Sequence, residues 1–119
     1  MTLSRIFKTI FLVEFIKGFT YTISINNLSG HPVRLQTESA ISNSNLYNDG
    51  LSHSDGTSGS SAQDKTTGTW TWSVPINAPN TLYYRCQYHS GMIGTITTVE
   101  PSTGLKGSTG PAASNYWSS

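Results

Sequence analysis

Cys86, His89 and Met92 stand three residues apart in "CQYHSGM", and Cys86 is the only cysteine of the chain. A thiolate, an imidazole and a thioether on so short a stretch make a soft donor set. Thiolate and thioether favour copper, and imidazole accepts either of its common oxidation states. With one cysteine no intrachain disulfide can form, so Cys86 is a buried thiol, a reactive thiol or a ligand.

A trigonal site of two histidines and one cysteine, with a weak axial methionine, is a blue-copper electron-transfer centre. Such a site needs a second histidine from elsewhere in the chain, and His31 and His53 are the candidates. His31 precedes the extended run "VRLQT" and can be held by a sheet. His53 lies in a Ser/Gly-rich stretch, where ordering it costs conformational entropy. His31 is therefore the expected ligand, and His53 reads as a solvated loop histidine. The competing readings are weaker. Structural zinc prefers Cys, His and carboxylate, with methionine a poor ligand. A Cys–His hydrolase needs an oxyanion hole and an orienting group, and neither is evident. Met92 alone could be packing against Tyr88 or Ile93.

The elements that must position these residues are strands. Of 119 residues, 35% are hydrophobic and 11% charged, and much of the rest is Ser, Thr, Asn and Gly, which suits one β-rich domain with many turns. The formal net charge of +1, without a Lys/Arg cluster, speaks against nucleic-acid binding. In "IFKTIFLVEFI", Phe11, Val13 and Phe15 share one face and Glu14 the other. Gly18 makes a turn, and Tyr21, Ile23 and Ile25 alternate beyond it. Val33 and Leu35 face one way. Trp70, Trp72 and Val74 alternate with Thr69, Thr71 and Ser73, the clearest strand pattern in the chain. Leu82, Tyr84 and Cys86 share a face, with Tyr83 and Arg85 opposite. "GTITTV" closes the domain. Between Glu38 and Gly68 core residues are few, and "NDGLSHSDGTSGSSAQDKTTG" reads as an exposed loop. Asp49, Asp55 and Asp64 in that stretch lack calcium-loop spacing. The aromatic residues Trp70, Trp72, Tyr83 and Tyr84 read as packing and not as a base-stacking platform, since few cations accompany them. The expected fold is all-β, an antiparallel sandwich or barrel.

Three stretches together resemble the cupredoxins, the blue (type 1) copper proteins of the plastocyanin and amicyanin kind. These are "KGFTYTISI", the histidine in "SGHP", and "YYRCQYHSGMIGTITTV". The likeness spans roughly residues 10 to 100, and the C-x-x-H-x-x-M spacing is similar to the short ligand loop of the amicyanin type. It implies a cupredoxin-like Greek-key β-sandwich with copper near one end, ligated by His31, Cys86, His89 and Met92, one ligand histidine reaching the surface. In the family the residue after the upstream histidine donates its backbone N–H to the cysteine sulfur. Here that residue is Pro32, which has no N–H. A sulfur lacking that bond carries more charge, which implies a lower potential than a Pro32→Asn variant would have. A looser similarity, in "SGHPVRLQT", the Ser/Gly/Thr-rich middle, "LYYRCQYHSGMIGT" and the glycines at 104, 107 and 110, is to cupredoxin-like modules of phage and marine-virus structural proteins.

The expected organisation is an N-terminal segment (1–9), where a short amphipathic helix over Leu3 to Ile10 can precede the strand, a copper-binding domain (10–100), and a flexible Gly/Ser/Pro-containing tail (101–119). The apolar run from Ile6 to Ile16 is too short to span a bilayer, Lys8 and Glu14 interrupt it, and no A-x-A cleavage site follows. No enzymatic reaction is expected. The first functional reading is copper-based electron transfer to a redox protein partner, in the periplasm or outside the cell. The alternative is a virion structural or surface module that assembles with copies of itself, copper being structural or absent.

Overall fold

The computed structural model describes residues 12–26 and 28–101. The expectations for the N-terminal segment, for Phe11 and for the tail beyond Pro101 lie outside the described residues.

Seven strands form two sheets: β1 (Leu12–Ile16), β2 (Thr20–Ser24), β3 (Val33–Gln36), β4 (Leu51–His53), β5 (Thr69–Ser73), β6 (Thr81–Cys86) and β7 (Ile93–Val99). One sheet has the order β1-β7-β6-β3 and the other β2-β5-β4. All pairings are antiparallel except β1 with β7, which is parallel. Only β4–β5 and β6–β7 are consecutive in the chain as well as adjacent in a sheet. The other connections cross between sheets, so each sheet is stitched to its partner along its length.

Period-two alternation drives this arrangement. Phe15, Ile23, Leu35, Leu51, Trp70, Trp72, Leu82, Tyr84 and Ile96, at least one from every strand, meet in a single buried cluster between the sheets. Its centre is aromatic: Trp72 meets Phe15 edge-on at 5.5 Å between ring centroids and Tyr47 at 6.4 Å. Tyr84 lies directly opposite Gly94 across the β6–β7 ladder. A Cβ at residue 94 would fall 2.0 Å from Cζ of that ring, so glycine is what lets the ring lie there.

The middle of the chain differs from expectation. It is no open loop: β4 pairs with β5, and 3-10 turns form at Asn43–Asn45 and Gly59–Ala62. Buried indoles explain this, because each N–H needs an acceptor inside the dry core. Trp70 donates to the Ala62 carbonyl at 2.7 Å and Trp72 to that of Asp49 at 3.1 Å. The buried Gln63 side chain accepts from the Leu35 N–H and donates to the Tyr47 carbonyl. Gly50, with φ of 80°, lets the chain turn against the Ser73 carbonyl, which a Cβ would meet at 2.0 Å.

Candidate metal centre

The site forms at one end of the four-stranded sheet, where β6 runs out and β7 begins. Alternation along β6 turns Cys86 to the same face as Leu82 and Tyr84, and the residue is fully buried. The β3–β6 register pairs Val33 with Cys86, which brings the residues before Val33 beside the loop after Cys86. The Gln87 N–H donates to the Pro32 carbonyl at 2.8 Å and sews the two segments together. His31 is held in a turn by donation from its own N–H to the Leu28 carbonyl at 2.7 Å. Within the β6–β7 loop, the Met92 N–H donates to the His89 carbonyl at 3.0 Å, and the Met92 carbonyl accepts from the Cys86 N–H at 2.8 Å.

These constraints bring together three donor atoms from residues up to 58 positions apart. Nδ1 of His31 lies 3.1 Å from Nδ1 of His89, and the Cys86 sulfur lies 3.3 Å from the latter and 3.8 Å from the former. A triangle with those sides has its centre about 2.0 Å from each corner, within the roughly 2.0–2.3 Å range of metal–nitrogen and metal–sulfur bonds. The donor set therefore fits a first-row transition metal without rearrangement. His31 is half-buried and His89 exposed, so the group has one wet corner and two drier ones.

Met92 is half-buried and its backbone is fixed on both sides of the turn that carries His89. The sulfur of Cys86 accepts a backbone N–H from Tyr88 at 3.4 Å. Sequence reasoning had considered only the missing donor at Pro32. The sequence offers an N–H at Tyr88, and the conformation of the loop after Cys86 is what turns it to the sulfur.

His53 is not part of this group. It also departs from the solvated loop histidine expected of it. It ends β4, its side chain is 5% exposed, Nε2 bonds the Thr67 carbonyl at 2.7 Å and Nδ1 accepts the Asp55 N–H at 3.0 Å. The nearby acids hold cations. Asp55 accepts from Lys65 at 2.7 Å, and both oxygens of Asp64 accept from Arg34 at 2.8 Å.

Arg34 and Arg85 pair across β3 and β6 on the sheet face opposite the core, and both are buried. Burial is the main influence pushing the Arg85 guanidinium below its ordinary pKa. The charge of Arg34 adds to that effect, and Cys86 opposes it. Burial likewise pushes the Tyr84 phenol up to about 12.

No protein-family model matches the chain, and no curated protein matches it. Among the described residues no helix is long and apolar enough to cross a membrane.

Proposed function

We propose that this chain is a type 1 copper protein that carries single electrons through a site made by His31, Cys86, His89 and Met92. The observation that carries the proposal is the convergence of two imidazole nitrogens and one thiolate sulfur on a point at metal-bond distance. Bound copper would supply the one-electron couple. Methionine at the fourth position selects copper over zinc, because thioether is a soft ligand. The strand order, with a parallel β1–β7 pair and sheet-crossing connections, supports reading the sandwich as a cupredoxin-like Greek key.

The chain's own residues divide the work. Cys86, fully buried, provides a thiolate shielded from water and oxidants. The Tyr88 N–H partly neutralises its sulfur. His31 is fixed by the β2–β3 turn, and strand pairing on both sides of Cys86 holds the donors in nearly one geometry. A site that moves little when its charge changes needs little reorganisation. His89, exposed beside the 65%-exposed Tyr88, is the corner through which a redox partner makes contact.

A second reading, a structural or surface module on the same sandwich, is favoured by the hydroxyl-rich segment packed on the smaller sheet and by the glycines at 104, 107 and 110. One titration separates the two. Cu(II) added to the purified protein is expected to give an intense visible thiolate-to-copper band. Cys86→Ser and His31→Ala should abolish it and His53→Ala should spare it. Reversible voltammetry then supports electron transfer. A wild type without the band, or a band that survives His31→Ala, defeats the copper proposal, and stable redox-inert oligomers favour the module.

A further inference from the structure

Arg85 is 3% exposed, yet among the described residues it enters no ion pair. Its neighbour Arg34 takes both oxygens of Asp64, Lys17 takes Glu100 and Lys65 takes Asp55. The Arg85 guanidinium instead donates to three backbone carbonyls. Nε bonds Cys86 O at 3.2 Å, one terminal nitrogen bonds His89 O at 3.1 Å, and the other bonds Ser39 O. A buried cation without a carboxylate is costly, and carbonyl dipoles repay only part of that cost. Its position has two consequences. The planar fork spans the cysteine, the exposed histidine and the segment after β3. It also sets a fixed positive charge against the loop that carries the donors, one terminal nitrogen 3.1 Å from the His89 carbonyl.

Building on the copper reading, we propose that Arg85 is the positioning residue of the metal loop: it pins His89 over Cys86 and, through its unpaired charge, biases the site toward its reduced state. The pinning follows from geometry. Two of its three bonds fall on carbonyls of donor-bearing residues, so releasing them frees the turn from Cys86 to Met92 on one side. The bias follows from charge. Reduction removes one positive charge from the site, and a nearby cation in a dry setting favours that change.

Two variants separate the effects. Arg85→Lys keeps the charge and loses the fork, and Arg85→Gln loses the charge. In the metal-free protein, amide hydrogen exchange should rise about tenfold at Tyr88 and Met92 in both variants while Trp70 and Trp72 of β5 stay protected. In the copper-loaded protein, Arg85→Gln should shift the preference for Cu(I) over Cu(II) about tenfold downward, about 59 mV for a one-electron couple. Arg85→Lys should restore most of that shift without restoring loop protection. Unchanged exchange at Tyr88 and Met92 in both variants overturns the pinning, and an unchanged or raised potential in Arg85→Gln overturns the bias. If the wild type gives no copper band, the copper reading fails while the exchange measurement still decides the pinning. Should both variants unfold, NMR of the wild-type Arg85 side chain decides. Slowly exchanging Nε and Nη protons support the three bonds, and solvent-rate exchange refutes them.

Discussion

Gly94→Ala adds one methyl group at the point where β7 leaves the loop that carries His89 and Met92. That methyl would sit 2.0 Å from Cζ, 2.1 Å from the hydroxyl oxygen and 2.5 Å from Cε2 of Tyr84. Relaxed carbon contacts are about 3.5–4.0 Å, so ring and strand must separate by roughly 1.5 Å. Tyr84 is 1% exposed, and the two residues face each other in a hydrogen-bonded ladder, so neither can move alone. Overpacking of this kind costs about 1–3 kcal/mol, and the rigid surroundings put the expectation near the top of that range. For a domain of this size about 3 kcal/mol lowers Tm by roughly 12–24 °C. Urea unfolding of the metal-free protein, followed by tryptophan fluorescence, should show a lower midpoint with an unchanged slope. Pairing the change with Tyr84→Leu, which vacates the space the methyl needs, should recover about 1 kcal/mol or more relative to simple addition. A Gly94→Ala midpoint equal to that of the wild type, or strict additivity in the double variant, refutes the clash.

Three other outcomes are expected. Because burial raises the Tyr84 phenol to about 12 from an ordinary value of 10.0, its contribution to stability is complete below pH 10 and is lost as pH rises from 10 towards 12; chemical denaturation across that window should show a decline that Tyr84→Phe makes shallower. Asp64→Ala leaves the Arg34 guanidinium buried without its carboxylate and should cost about 3 kcal/mol, read from the urea midpoint. Pro32→Asn offers the Cys86 sulfur an N–H besides that of Tyr88, so redox titration should find a higher potential; no change or a fall counts against the sulfur hydrogen-bond argument.

Much of the sheet architecture was legible from side-chain alternation. The runs around Trp70 and Trp72, Leu82 to Cys86, and Ile23 form strands whose apolar face is the core, as the pattern required. The middle segment was misread because its own residues are hydroxyl-bearing and small. What folds it is a demand made elsewhere, by the indole N–H groups of Trp70 and Trp72 and by the amide of Gln63. His53 was misread for the same reason. Its neighbours in sequence are polar, and its burial comes from pairing with β5.

For the site, the sequence alone settled which residue types are available and that Cys86, His89 and Met92 share one short loop after a strand, because covalent spacing and period-two geometry are local. The tertiary structure decided that His31 closes the triangle, that Tyr88 donates to the sulfur and that Arg85 lies buried among carbonyls. The place of His31 beside the sulfur and the reach of Arg85 to the Ser39 carbonyl depend on the register between β3 and β6, which pairs Val33 with Cys86. Register is chosen by the packing of the whole core against every alternative alignment, and no stretch of residues contains that comparison by itself.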